Sequence, residues 1–149
     1  MKRSLAFVFM ALLPDASAAA DATIAPEPPL VQPAGDVELS QFLWTNRPII
    51  VFADSPADPR FQQQLELLAD GAAMLRDRDV VVLTDTDPGA RAPIRRQLRP
   101  RGFQMVLVDK DGQVKLRKPH PWSVREISRT IDKTQLRQQE VEDRRNRRD

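Results

Sequence analysis

The sequence predicts a mixed α/β fold. The expected order is strand, helix, strand, helix, strand, strand, helix, in a mixed four-stranded sheet with helices on both faces. Three observations predict it. Two unbroken apolar runs, Ile49-Ile50-Val51-Phe52 and Val80-Val81-Val82-Leu83, have the composition of strands buried on both faces. Between them, Phe61, Leu65, Leu68, Ala72 and Leu75 recur at three and four residues, the spacing of an amphipathic helix. Further on, Asp109-Lys110-Asp111-Gly112 separates an apolar run from an alternating one, as a tight hairpin turn does.

The amino terminus carries the first element. Lys2 and Arg3 precede the apolar run Leu5 to Leu13, which is too short to span a bilayer but matches the core of a signal peptide. Pro14 and Asp15 break the run. Ala16-Ser17-Ala18 or Ala18-Ala19-Ala20 then supplies a small-x-small cleavage pattern, so residues 1–20 are expected to be a signal peptide. A secreted product, periplasmic in a two-membrane bacterium, is the corresponding expectation. Residues 21–35, with Pro26, Pro28, Pro29 and Pro33, are expected to form an extended linker.

The folded domain is expected over 36–140. Asp36 caps a short helix in which Leu39, Phe42 and Leu43 share a face, and Trp44 anchors it to the sheet. The strand 48–53 follows. The loop Asp54-Ser55-Pro56-Ala57-Asp58-Pro59 leads into a single helix from Arg60 to about Arg76, with Gln62 to Gln64 turned outward. After the turn Arg76-Asp77-Arg78-Asp79 comes the second strand, parallel to the first in a right-handed unit. Ile94 and Leu98 mark a shorter, basic helix, and Phe103 to Val108 a third strand. Gly112 supplies a positive backbone angle to the hairpin turn, and Gln113 to Arg117 forms an edge strand with one wet face. Ser123 and Glu126 make a capping box, after which Val124, Ile127 and Ile131 form the buried stripe of the last helix. Residues 141–149 are a charged tail.

On these elements the chain resembles the thioredoxin-like core. Gly102 to Val114 is similar to the thioredoxin stretch that runs glycine, apolar residue, cis-proline, threonine, strand and turn glycine, with Gln104 in the cis-proline place. Phe52 through Arg60 resembles the strand and Cys-Gly-Pro-Cys loop, with Ala57 and Arg60 at the two cysteine positions and Pro59 retained. A second resemblance is carried by Arg47-Pro48-Ile49-Ile50-Val51-Phe52-Ala53, Arg78-Asp79-Val80-Val81-Val82-Leu83, Asp109 to Arg117, and Ile131-Asp132 with Arg137 and Glu140. These blocks are similar to a bacterial domain family of unknown function, related to domains repeated in animal extracellular sushi-repeat proteins. Thr134-Gln135 departs from the Met-Pro usual there. The resemblance spans roughly Leu39 to Glu140 and implies a fold and an exported habitat, with no catalytic residues attached.

Composition excludes much. The chain of 149 residues contains no cysteine. Thiol-disulfide exchange needs an attacking thiolate and a peroxiredoxin needs a sulfur to oxidise, so both activities are excluded, as is a lipid anchor on cysteine. The fold must stand on its core without disulfides. Net charge is only +2, which names no partner.

The remaining candidates are polar clusters. Val80 to Asp87 resembles the strand and Asp-x-Asp of haloacid-dehalogenase-type phosphatases, a resemblance that implies Asp85 as nucleophile, Asp87 as acid and base, and magnesium on the phosphate. The paired acidic residues that would complete the magnesium site do not follow any strand. Asp54 and Asp58 are expected near Asp85 and Asp87 at the carboxyl edge of the sheet, a weak site for calcium or magnesium; turn and cap roles explain the same four residues. His120, the one histidine, lacks the surroundings of a triad and is expected in a loop. Arg144, Arg145, Arg147 and Arg148 offer a weak contact for anionic lipid or an acidic partner. No aromatic residues interleave with them, which argues against nucleic acid. No catalytic residue, cofactor or metal is assigned. The reading leans away from an enzyme, toward an interaction module with an envelope protein as partner, with the phosphatase as alternative.

Overall fold

The computed structural model describes residues 26–149. The expected signal peptide and the first five linker residues lie outside the described residues. Five strands form one sheet: β1 (Val31–Pro33), β2 (Arg47–Phe52), β3 (Val80–Asp85), β4 (Gln104–Val108) and β5 (Val114–Lys118), in the order β1-β3-β2-β4-β5. β3 runs parallel to β1 and β2, whereas β4 runs antiparallel to both β2 and β5. The helices are α1 (Pro59–Asp70), α2 (Ala72–Arg76), α3 (Pro93–Leu98), α4 (Val124–Asp132) and α5 (Gln135–Asn146).

The apolar runs are buried on both faces because alternate residues enter two separate cores. Ile49, Val51, Ala53, Val80, Val82, Met105 and Leu107 meet Phe61, Leu68, Leu75, Val124, Ile127 and Ile131 from α1, α2 and α4. Ile50, Phe52, Leu83, Val106 and Val108 meet Leu39, Ile94 and Leu98 on the other face. Every residue of β2 is buried, as befits the central strand. Pro48 is tolerated there because pairing with β4 begins only at Ile49, leaving its missing N–H outside that ladder.

Several expectations are corrected. The sheet has a fifth strand: Val31–Pro33, read as linker, adds to the β3 edge, with Val82 N–H donating to the Leu30 carbonyl and Ala34 N–H to that of Thr84. The expected helix after Asp36 is one 3₁₀ turn, Leu39–Phe42, entered from Glu38 rather than capped by Asp36. Trp44 does not anchor it. That indole is 67% exposed, at a residue with φ of 62°, while the Trp44 backbone N–H donates to the Lys110 carbonyl at 2.8 Å.

The single helix expected from Arg60 to Arg76 breaks at Gly71 into α1 and α2. Any Cβ at Gly71 would overlap the Val124 side chain, so glycine is what lets α4 approach the break. Gln64, expected outside, is fully buried and grips the loop before α4 with both ends of its amide. Its Nε2 donates to the Trp122 carbonyl, and its Oε1 accepts from the Trp122 N–H, both at 2.9 Å. The chain likewise breaks again after α4: the Thr134 hydroxyl caps α5, and the expected tail from 141 is the last part of that helix. The Ser123–Glu126 capping box and the Gly112 turn, with φ of 84°, are as expected.

Candidate functional site

The carboxyl ends of β2 and β3 form the edge where an open α/β sheet presents its ligands. Three of the four aspartates expected there are engaged locally. Asp58 caps α1, accepting from the Arg60 backbone N–H at 2.9 Å and pairing with the Arg60 guanidinium at 2.9 Å. Those hydrogen bonds hold its carboxyl below the usual range. Asp87 accepts from the Gly89 and Ala90 N–H groups, and Asp54 is exposed in the loop. Asp85 is buried; its Oδ2 takes Arg95 Nε at 2.8 Å while its Oδ1 takes the Asp87 N–H. Among the described residues, no three histidine, aspartate or glutamate side chains come together in a group able to hold a metal ion.

This geometry leaves the phosphatase alternative without support. A nucleophilic carboxylate needs a free oxygen facing an open site, and Asp85 has both oxygens taken by an arginine and a backbone amide. Arg95 also donates to the Ala53 and Asp85 carbonyls and lies over the Phe52 ring at 5.2 Å. It closes this end of the sheet. At the two positions matched to redox cysteines, Ala57 is exposed in the loop and Arg60 lies over the Phe103 ring at 5.5 Å. Gln104 accepts from Arg117, and His120 is exposed in the loop before α4.

The opposite end of the sheet holds a feature that the sequence reading did not assemble. Arg47, only 1% exposed, donates from Nε to Asp109 at 2.8 Å, from both terminal nitrogens to Glu140, and to the Arg78 carbonyl. Lys110 pairs with Asp79 and Glu140, each at 2.8 Å. Arg137 pairs with Asp77 at 2.7 Å and with Glu140, Arg78 pairs with Asp132, and Arg144 reaches Asp77. Arg47, Arg78, Lys110, Arg137 and Arg144 thus face Asp77, Asp79, Asp109, Asp132 and Glu140, charge for charge. Burial alone would raise the Glu140 carboxyl, but hydrogen bonds and charge from Arg47 and Lys110 prevail and hold it at about 2. A signal for this network was present: Arg47 and Asp109 directly abut doubly buried strands, where a charge must find a partner.

Nearly all of these charges lie in the blocks that carry the family resemblance. The model of the family described as "Domain of unknown function (DUF4174)" matches residues 38–140. The chain belongs to this family. The network therefore falls within the DUF4174 domain, apart from Arg144 just beyond its end. Coiled-coil domain-containing protein 80 of Danio rerio is 34% identical over 133 residues, covering 69% of this chain and 15% of that protein. The chain thus spans only a small part of that relative's length.

Two solved structures share the fold. The reduced 2-Cys peroxiredoxin of Plasmodium vivax superposes with a TM-score of 0.52 at 18% identity, over 68% of this chain and 84% of that one. Prx1a of Plasmodium yoelii gives 0.51 at 16%, over 67% and 79%. The DUF4174 domain is thioredoxin-like in fold. At these identities the likeness extends to the fold alone.

Proposed function

We infer that this DUF4174 chain is a non-redox interaction module on a thioredoxin-like scaffold, exported and acting on a protein partner in the cell envelope. The observation that carries the reading is the exposed Trp44. A tryptophan left largely in solvent, at a backbone angle that favours glycine, has no packing reason to be there. Leu43 is also exposed and sits against Gly112 of the hairpin turn, and Val114 just beyond that turn is exposed as well. Three apolar side chains around one turn make an anchor of the kind that aromatic-centred protein interfaces use.

The lack of cysteine supports the non-redox half of the reading, because neither matched cysteine position carries a nucleophile. The charged leader-like amino terminus supports export. A bacterial envelope setting and kinship with the domains of animal sushi-repeat proteins complete it. Crosslinking in intact cells, followed by affinity recovery, tests the proposal. A specific envelope protein recovered by the native chain and lost with Trp44→Ala is the expected result, whereas identical recovery by both chains contradicts the interface. Insulin reduction or peroxide consumption by the purified chain contradicts the non-redox assignment.

A further inference from the structure

Charge is distributed unevenly along the chain. The segment from Pro88 to Val108 contains five arginines, Arg91, Arg95, Arg96, Arg99 and Arg101, and no acidic residue. Four of them, Arg91, Arg95, Arg96 and Arg99, line one shallow cavity of about 450 Å³ on and around α3. Arg95 is fixed from below by Asp85. Among the described residues, Arg91, Arg96 and Arg99 pair with no carboxylate, whereas at the other end of the sheet Arg47, Arg78, Arg137 and Arg144 each do. Crowded guanidinium groups repel one another, and an anion seated among them offsets that repulsion.

The backbone adds a second observation. Arg91 and Arg99, flanking α3, both have φ of 49°, in the left-handed region that glycine occupies without strain. Arginine stands at both positions all the same, and its side chain lines the cavity each time. Guanidinium forks match the oxygens of a phosphate group in geometry and charge. We propose that the cavity formed by Arg91, Arg95, Arg96 and Arg99 binds a phosphate group, as a free phosphate compound or as a phospholipid headgroup. Arg95, held by Asp85, is the fixed wall; the other three supply exposed forks. This inference is independent of the Trp44 surface and uses none of its residues.

The strained angles provide the test. Arg91→Gly with Arg99→Gly removes two forks while relieving the backbone at both sites, so the fold is expected to persist, with an unchanged or raised melting temperature. Calorimetric titration of the full chain with inorganic pyrophosphate should show binding that weakens about tenfold or more in this variant, the loss expected for charge-assisted hydrogen bonds. Arg147→Gln with Arg148→Gln makes the same change in net charge and should bind as the native chain does. Co-sedimentation with phosphatidylglycerol vesicles, against phosphatidylcholine controls, separates the sources. Vesicle binding lost in the glycine variant, without pyrophosphate binding, assigns a lipid headgroup; pyrophosphate binding assigns a soluble phosphate. If neither probe binds, or if binding survives in the glycine variant or falls equally in the tail variant, the proposal is wrong.

Discussion

The two ends of the sheet use arginine in opposite ways. At the amino-terminal ends of β2 and β3, five cations meet five anions and Arg47 is withdrawn from water. At the carboxyl ends, one pair, Arg95 with Asp85, closes the sheet, and the arginines around α3 stay in solvent without acidic partners. The first arrangement ties α5 and two turns to the sheet and leaves no charge over. The second leaves Arg91, Arg96 and Arg99 as a positive surplus in solvent. Balanced charge marks architecture here, and unbalanced charge marks a surface available to a ligand.

Substitutions at the clamped end should have the largest effects. Asp109→Ala leaves the buried Arg47 guanidinium without its closest partner and should cost about 3–5 kcal/mol in urea unfolding. A loss near that of an exposed pair, under about 1 kcal/mol, would show that the network is solvated and the contrast between ends false. Gly71→Ala should cost about 1–3 kcal/mol, because the new methyl group meets Val124. Val124→Ala in the same chain should recover part of that loss. Additive losses in the double variant would deny the close approach of α4 at the break between α1 and α2.

The other end should respond more modestly. Gln64→Leu strands the Trp122 N–H and carbonyl and should cost about 1–3 kcal/mol. Acid sharpens the comparison without a substitution. The Glu140 carboxyl is held at about 2 against an ordinary 4.5, so its stabilising contribution is complete above 4.5 and disappears as pH falls toward 2. Unfolding free energy measured across that window should therefore fall with pH, and Glu140→Gln should flatten the slope. An unchanged slope in the variant would remove Glu140 from the network. The smallest effect is expected at the surface: Trp44→Gly relieves a left-handed angle and removes no buried contact, so stability should move by less than about 1 kcal/mol.

Most of the sheet was legible because β2, β3 and β4 are apolar runs bounded by turn residues, and the hairpin glycine and capping box carry their own chemistry. β1 was not, since three residues among prolines have no pattern of their own and are strands only because β3 offers an edge. The helix pattern gave α1 but not its break, which depends on Val124, 53 positions beyond Gly71. Pattern also sent Gln64 outward and Trp44 inward. Polarity predicts burial poorly when an amide has a backbone to grip, or when a turn fixes a side chain in solvent. At the candidate sites, the turn and cap roles expected as the alternative for the aspartates are what Asp58, Asp85 and Asp87 perform, each accepting from a backbone N–H close by in sequence. The charge network is scattered across the separate sequence blocks that carry the family resemblance. Its pairs join residues 62 and 93 positions apart, a distance over which one sequence holds no pairing signal.

The contrast between paired and unpaired arginines is tested most directly by urea unfolding of Arg47→Met beside Arg96→Met in one buffer. The first variant leaves Asp109 buried without its guanidinium and should lose about 3–5 kcal/mol, while the second, at an exposed position, should stay within about 0.5 kcal/mol of the native chain. Equal losses in the two variants would contradict the account.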